Sequence, residues 1–163
     1  LIIGEDASFL YKALTVSQSI DINKIKYYQQ CDPHTIGKFK SKMLTSELMF
    51  IKELINLFNS YKDIDGYEEV ISIENRYKLK EFYRLIENYF TPLYIQGKKS
   101  FSEVKQQVKD IAKLWNIRGA LSKNPYSKLY WHKRQNLWGF FIKTNSFNLL
   151  IKSAIFFKKV NKY

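Results

Sequence analysis

The residues best suited to chemistry lie at the start of the chain, in the run Ile2-Ile3-Gly4-Glu5-Asp6. An apolar strand-like run ends at Gly4, which allows a sharp turn, and two adjacent carboxylates then open a helix. A carboxylate at the C-terminal end of a strand can face a cleft of the kind that binds ligands in α/β sheets, and there it can act as a general base. Acidic residues also stabilise the first turn of any helix, because the helix macrodipole attracts negative charge. Glu5 and Asp6 are therefore either catalytic carboxylates or an ordinary helix cap.

Charge is distributed unevenly along the 163 residues, which carry a net charge of +12. Residues 1–80 hold equal numbers of basic and acidic side chains, whereas residues 81–163 hold 16 basic and 4 acidic ones. No carboxylate side chain follows Asp110, and aromatic residues are interleaved with the basic ones in this second half. The residues that we select as a candidate membrane or anion surface are Lys128, Lys133, Arg134, Lys143, Lys152, Lys158 and Lys159.

Three functions suit a basic and aromatic region of this kind. Cationic amphipathic helices bind the anionic surface of a membrane, where each Lys or Arg contributes about 1 kcal/mol. Lysines and stacking aromatic rings also bind the phosphates and bases of nucleic acids. In a structural or protein-interaction bundle, by contrast, the aromatic residues form the core and the lysines form a solvated face. The sequence leaves these three alternatives open.

Hydrophobic spacing predicts a predominantly α-helical chain, with short strand or extended elements in residues 1–38 followed by a bundle of about four to five helices. From about residue 39 onward, apolar residues recur every three or four positions. Ser100 and Glu103 have the spacing of a capping box, which predicts a helix start. The helix before it is expected to stop ahead of Pro92, because proline lacks a backbone N–H and clashes with the preceding turn.

The Glu-Asp pair is the first of an ordered series of motifs. It is followed by Ile25-Lys26-Tyr27-Tyr28 and then by the polar turn Asp32-Pro33-His34-Thr35. In this order, residues 1–40 resemble the end of the catalytic domain of family 2 glycosyltransferases, where a Glu-Asp pair opens a helix. Residues 41–163 are similar only in character, since bacterial enzymes of this family often end in a basic helical extension. The resemblance divides the chain into a catalytic remnant, 1–40, and a basic helical region, 41–163.

This resemblance implies an inverting transfer of a sugar from a nucleotide-sugar donor to a glycan or lipid-linked acceptor, by a GT-A-type α/β domain. It makes Asp6 the general base that deprotonates the acceptor hydroxyl, with Glu5 orienting it or contacting the acceptor. Tyr28 and Thr35 would line the acceptor side, the alternative for both being ordinary packing and turn formation. The expected location is the cytoplasm, with peripheral attachment to the inner face of the membrane.

The resemblance also places the donor and metal sites outside this sequence. In the family, the nucleotide-binding half and its Asp-x-Asp metal site precede the Glu-Asp pair. We therefore expect no metal site in the chain, a Mg²⁺ or Mn²⁺ ion in the intact parent enzyme, and no activity of the chain alone. Asp63-Ile64-Asp65 has the Asp-x-Asp pattern but follows the pair, and we interpret it as an interhelical loop. The alternative function is a basic helical module that binds nucleic acid or protein.

Overall fold

The computed structural model describes residues 43–60, 67–123 and 133–160. The helices in these ranges are α1 (Met43–Asn59), α2 (Tyr67–Leu85), α3 (Thr91–Ile95), α4 (Phe101–Leu114), α5 (Ile117–Lys123), α6 (Lys133–Lys143) and α7 (Phe147–Val160). A π-helical turn, Ile86–Phe90, joins α2 to α3, and none of the described residues forms a strand. The prediction of a predominantly helical chain is confirmed. The strand or extended elements expected in residues 1–38 lie outside the described residues.

Helix α2 lies at the centre of the packing, because it contacts both α1 and α5 extensively. The apolar stripe of α1 is buried at Ile51 and Phe58, as its three- and four-residue spacing predicts. Edge-to-face packing of Phe50 on Tyr77, with ring centres 6.4 Å apart, joins α1 to α2. The same core buries Leu79, Phe82 and Leu85 of α2 with Ile117, Ala120 and Leu121 of α5.

The helix around Pro92 does not stop where the sequence predicts. It continues through the proline, since the preceding turn widens and Thr91 donates its N–H to the carbonyl of Ile86, five residues back. A wider turn separates the proline ring from the carbonyl that it would meet in an α-helix. Pro92 also lies in the first turn of α3, where the missing N–H costs least. The π turn therefore explains why the expected helix end is wrong.

The predicted capping box at the start of α4 is present. The Ser100 Oγ accepts a hydrogen bond from the Glu103 backbone N–H at 3.3 Å, and the Glu103 Oε2 accepts one from the Ser100 N–H at 2.7 Å. The apolar stripe of α4 buries Val104, Val108 and Ile111. Lys105 and Lys109 lie beside that stripe and are half-buried. Helix α4 consequently presents a basic surface next to α7, on which it packs.

Helices α6 and α7 close the bundle and carry most of the basic residues that the sequence selects. Trp138 and Ile142 of α6 are buried, as are Leu150 and Ile151 of α7. The Arg118 Nη2 of α5 donates a 2.8 Å hydrogen bond to the carbonyl of Lys143, at the end of α6. The last two helices are therefore anchored to one shared core, and the orientation of their outer faces is set by that packing.

Candidate functional site

The residues predicted to carry the transfer chemistry all lie outside the described ranges. This applies to the candidate base Asp6 and its neighbour Glu5, and to the acceptor-side residues Tyr28 and Thr35. It applies equally to Asp63 and Asp65, and to Lys128 of the candidate anion surface. The structure therefore bears on the basic helical region, and the roles assigned to the first forty residues stay predictions.

The remaining basic residues of the candidate surface fall into two groups. Lys133 and Arg134 begin α6, at the end of that helix which faces the π turn. Lys143 ends α6, while Lys152, Lys158 and Lys159 follow along α7. Lys158 and Lys159 lie in the last turn of α7, where a helix favours positive charge. The structure consequently spreads these residues over two helices instead of gathering them at one point.

Arg134 is held inside an ion pair, which removes it from the free cationic surface. Its Nη2 lies 2.7 Å from the Glu87 Oε1, and both side chains are about three-quarters buried. Its guanidinium also lies over the Trp138 ring, 5.9 Å from the ring centre. Trp138 in turn packs on Tyr83, with ring centres 5.8 Å apart. This cluster attaches α6 to α2 and the π turn, so we assign Arg134 a structural role.

A second ion pair lies one turn earlier on α2. The Arg84 Nε is 2.6 Å from the Glu81 Oε2, and the Glu81 side chain is almost fully buried. Burial raises the pKa of Glu81 to about 7, and the charge of Lys80 opposes that rise. Burial also lowers the pKa of Arg84 below its ordinary value. Glu81 is thus a titratable group in the neutral pH range, although the sequence offers no sign that it differs from other glutamates.

Large apolar side chains are exposed on the outer faces of α6 and α7. Phe140 is 57% exposed and Phe156 is 61% exposed, so most of each ring is in solvent. The same two helices also expose Leu137, Leu149 and Val160. Lysines alternate with these residues along α7: Lys152 lies between Leu149 and Phe156, and Lys159 precedes Val160. Such an outer face is apolar and cationic at once.

An open cleft of about 370 Å³ lies between α4 and the start of α7. Lys105 and Lys109 line it from α4, and Lys152 lines it from α7. Asn145 and Ser146, in the turn before α7, complete its polar wall. The candidate surface predicted from the sequence did not include Lys105 and Lys109. Their spacing of four residues on a capped helix indicates that they share one face, and this spacing is visible in the sequence.

The described part of the chain contains no group of three or more His, Cys, Asp or Glu side chains placed to hold a metal ion. Within that part, no helix has the length and apolar character needed to cross a membrane. Comparisons with protein-family models, with curated proteins and with solved structures find no match.

Proposed function

We propose that this chain is the C-terminal part of an inverting glycosyltransferase and that its helical region attaches the enzyme to the anionic surface of a membrane. The transfer would pass a sugar from a nucleotide-sugar donor to a glycan or lipid-linked acceptor on the cytoplasmic side. Support for the chemistry comes from the series of motifs in residues 1–40. Support for the attachment comes from the exposed face of α6 and α7, and this is the observation that carries the proposal.

The exposed aromatic rings favour a membrane-binding face over a merely solvated one. A solvated helix face needs lysines but has no use for Phe140 and Phe156, which are more than half exposed. At a membrane, a Phe side chain that leaves water contributes about 1.5–3 kcal/mol, and each adjacent lysine contributes about 1 kcal/mol against anionic lipids. The outer side of α7 combines both, since Leu149, Phe156 and Val160 alternate with lysines while Leu150 and Ile151 lie in the core.

The attachment is tested by sedimenting the chain with vesicles of anionic and of neutral lipid. Wild type should bind the anionic vesicles preferentially. The double variant Phe140→Ala, Phe156→Ala should bind them at least about tenfold more weakly, because two rings no longer insert into the membrane. Leu114→Ala is the matched control, because Leu114 is 68% exposed but lies on α4. Unchanged binding by the double variant would overturn the membrane role of this face.

A nucleic-acid mobility shift, run in parallel, tests the alternative that the sequence left open. Binding to nucleic acid would fall steeply with salt, in proportion to the number of phosphates neutralised. Strong and salt-sensitive binding of nucleic acid, combined with no sedimentation on anionic vesicles, would replace the membrane proposal.

The catalytic part of the proposal assigns Asp6 as the base that removes the acceptor proton. Glu5 would orient Asp6 or contact the acceptor, Tyr28 and Thr35 would line the acceptor side, and a Mg²⁺ or Mn²⁺ ion bound upstream would assist departure of the nucleotide. In the full-length enzyme, Asp6→Asn should abolish transfer and leave donor binding largely intact, because the amide keeps the shape of the side chain but accepts no proton. Near-normal turnover of that variant would remove Asp6 from the role.

A further inference from the structure

The cleft between α4 and α7 is walled by cations on two sides. Lys105 and Lys109 are half-buried on α4, one turn apart, and the exposed Lys152 lines the cleft from α7. Among the described residues, no carboxylate side chain lines the cleft. Three like charges around one opening repel one another, and an anion held between them relieves that repulsion.

The turn before α7 adds polar groups to these charges. Asn145 ends the turn after α6 with a φ of 58°, and the Ser146 backbone N–H donates to the Phe141 carbonyl at 2.7 Å. This turn places Ser146 directly before α7, and the Thr144 Oγ1 and Ser146 Oγ lie 3.0 Å apart. The Leu149 and Leu150 N–H groups donate to the Ser146 carbonyl, so the Phe147 and Asn148 N–H groups precede the first hydrogen bonds of α7, at the positive end of its dipole. The first turn of α7 has no acidic residue to offset that charge.

The position of Lys109 is supported by packing. Its Nζ lies 5.9 Å from the ring centre of Phe147, a largely buried side chain in the first turn of α7. A cation over an aromatic face is attracted to it, so the lysine stem is oriented across the gap between the two helices. The cleft is therefore partly organised before any ligand enters, which lowers the entropic cost of binding.

We propose that this cleft binds a phosphate-bearing group, with Lys105, Lys109 and Lys152 neutralising its charge and the start of α7 donating to its oxygens. A volume of about 370 Å³ is enough for a phosphomonoester or a diphosphate and falls in the range of small-ligand pockets. Lipid headgroups and soluble phosphates share this chemistry, and the experiment separates the two sources. The cleft shares Lys152 and Leu149 with the outer face of α7, but the proposal uses neither Phe140 nor Phe156.

Calorimetric titration of the full chain with pyrophosphate tests the site. Wild type should bind saturably, and the double variant Lys105→Gln, Lys109→Gln should bind at least about tenfold more weakly, because two charge-assisted contacts are lost. Lys113→Gln is the matched control: Lys113 lies on the same helix but does not line the cleft, and its loss should change the affinity less than about twofold on screening grounds.

Amide NMR shifts locate the bound pyrophosphate without relying on any variant. The largest shifts should fall on Ser146, Phe147 and Asn148, at the start of α7. Failure of wild type to bind, equal binding by the Lys105→Gln, Lys109→Gln variant, or shifts confined to other residues would each overturn the proposal.

Vesicles then distinguish the two sources of phosphate. Phosphatidic acid presents a phosphomonoester, whereas phosphatidylglycerol presents a diester of the same sign. Tighter binding to phosphatidic acid at matched surface charge, lost in the Lys105→Gln, Lys109→Gln variant, identifies a lipid headgroup as the ligand. Pyrophosphate binding without that preference identifies a soluble phosphate. If the double variant Phe140→Ala, Phe156→Ala loses vesicle binding but keeps pyrophosphate binding, the cleft binds phosphate without help from the exposed rings.

Discussion

Replacing Glu81 by glutamine is expected to remove a pH dependence from the stability of the helical region. The Glu81 carboxyl is buried between the core and Arg84, whose Nε lies 2.6 Å from its Oε2. Glutamine has nearly the volume of the protonated acid and, like it, places no negative charge beside Arg84. The variant therefore imitates the neutral form of Glu81 at every pH.

The sign and size of the effect follow from the pKa of Glu81. Burial raises it from 4.5 to about 7, so between these values the folded chain keeps a proton that the unfolded chain has released. Unfolding then releases a proton, and rising pH favours the unfolded chain. The contribution of Glu81 to the unfolding free energy is therefore greatest below about pH 4.5, and this contribution is lost as the pH rises through about 7. At about 1.4 kcal/mol per pKa unit, the loss is on the order of 3 kcal/mol.

This loss of unfolding free energy is measured by urea denaturation at pH 5, 6, 7 and 8, monitored by circular dichroism. Wild type and Glu81→Gln should have similar unfolding free energies at pH 5, and the variant should become progressively more stable than wild type towards pH 8. Lys80→Met provides a second, independent shift. The charge of Lys80 lowers the pKa of Glu81, so its removal should raise that pKa and move the loss of stability to higher pH.

Two results would refute this reasoning about Glu81. A constant difference in unfolding free energy between wild type and Glu81→Gln from pH 5 to pH 8 would mean that the carboxyl titrates alike in the folded and unfolded chains. A Lys80→Met variant that moves the pH dependence downwards would mean that the charge of Lys80 is not felt at Glu81.

Two further predictions concern local structure. Ser100→Ala should lower the unfolding free energy by about 1 kcal/mol, because it removes the side-chain half of a capping box. Hydrogen bonds from the Ser100 side chain and backbone also lower the pKa of Glu103. An NMR titration should therefore show a higher Glu103 pKa in the variant than in wild type. Thr91→Val should raise the unfolding free energy by about 1 kcal/mol, since the buried Thr91 hydroxyl has no hydrogen-bond partner among the described residues and valine has nearly the same shape. Thermal melting of each variant beside wild type checks both, and a destabilised Thr91→Val would indicate that the hydroxyl is satisfied.

Much of the helical architecture could be predicted because it depends on near neighbours along the chain. The stripe of α1 and the capping box of α4 are set by residues three and four positions apart, and both are confirmed. The end of the helix at Pro92 could not be predicted in the same way. The proline rule is local, but here the wider π turn and the burial of Thr91 and Pro92 in the core override it.

The basic surface was predictable in composition but not in arrangement. The excess of lysine after Asp110 is visible in the sequence. Which cations remain free depends on distant partners: Arg134 is paired with Glu87, 47 positions earlier, while Lys105 and Lys152 meet across one cleft. Sequence spacing carries no information about such encounters, because they arise only when helices far apart in the chain pack together.

The sequence by itself therefore determined the helical character of residues 43–60, 67–123 and 133–160, the start of α4 and the concentration of positive charge in the second half. These features follow from short-range periodicity and from composition. Only the tertiary structure decided that Arg134 is structural, that Glu81 titrates near neutral pH, and that two lysines of α4 and one of α7 share a cleft. Burial, ion pairing and electrostatic repulsion act through space, and their strength depends on distances that exist only once the core has formed.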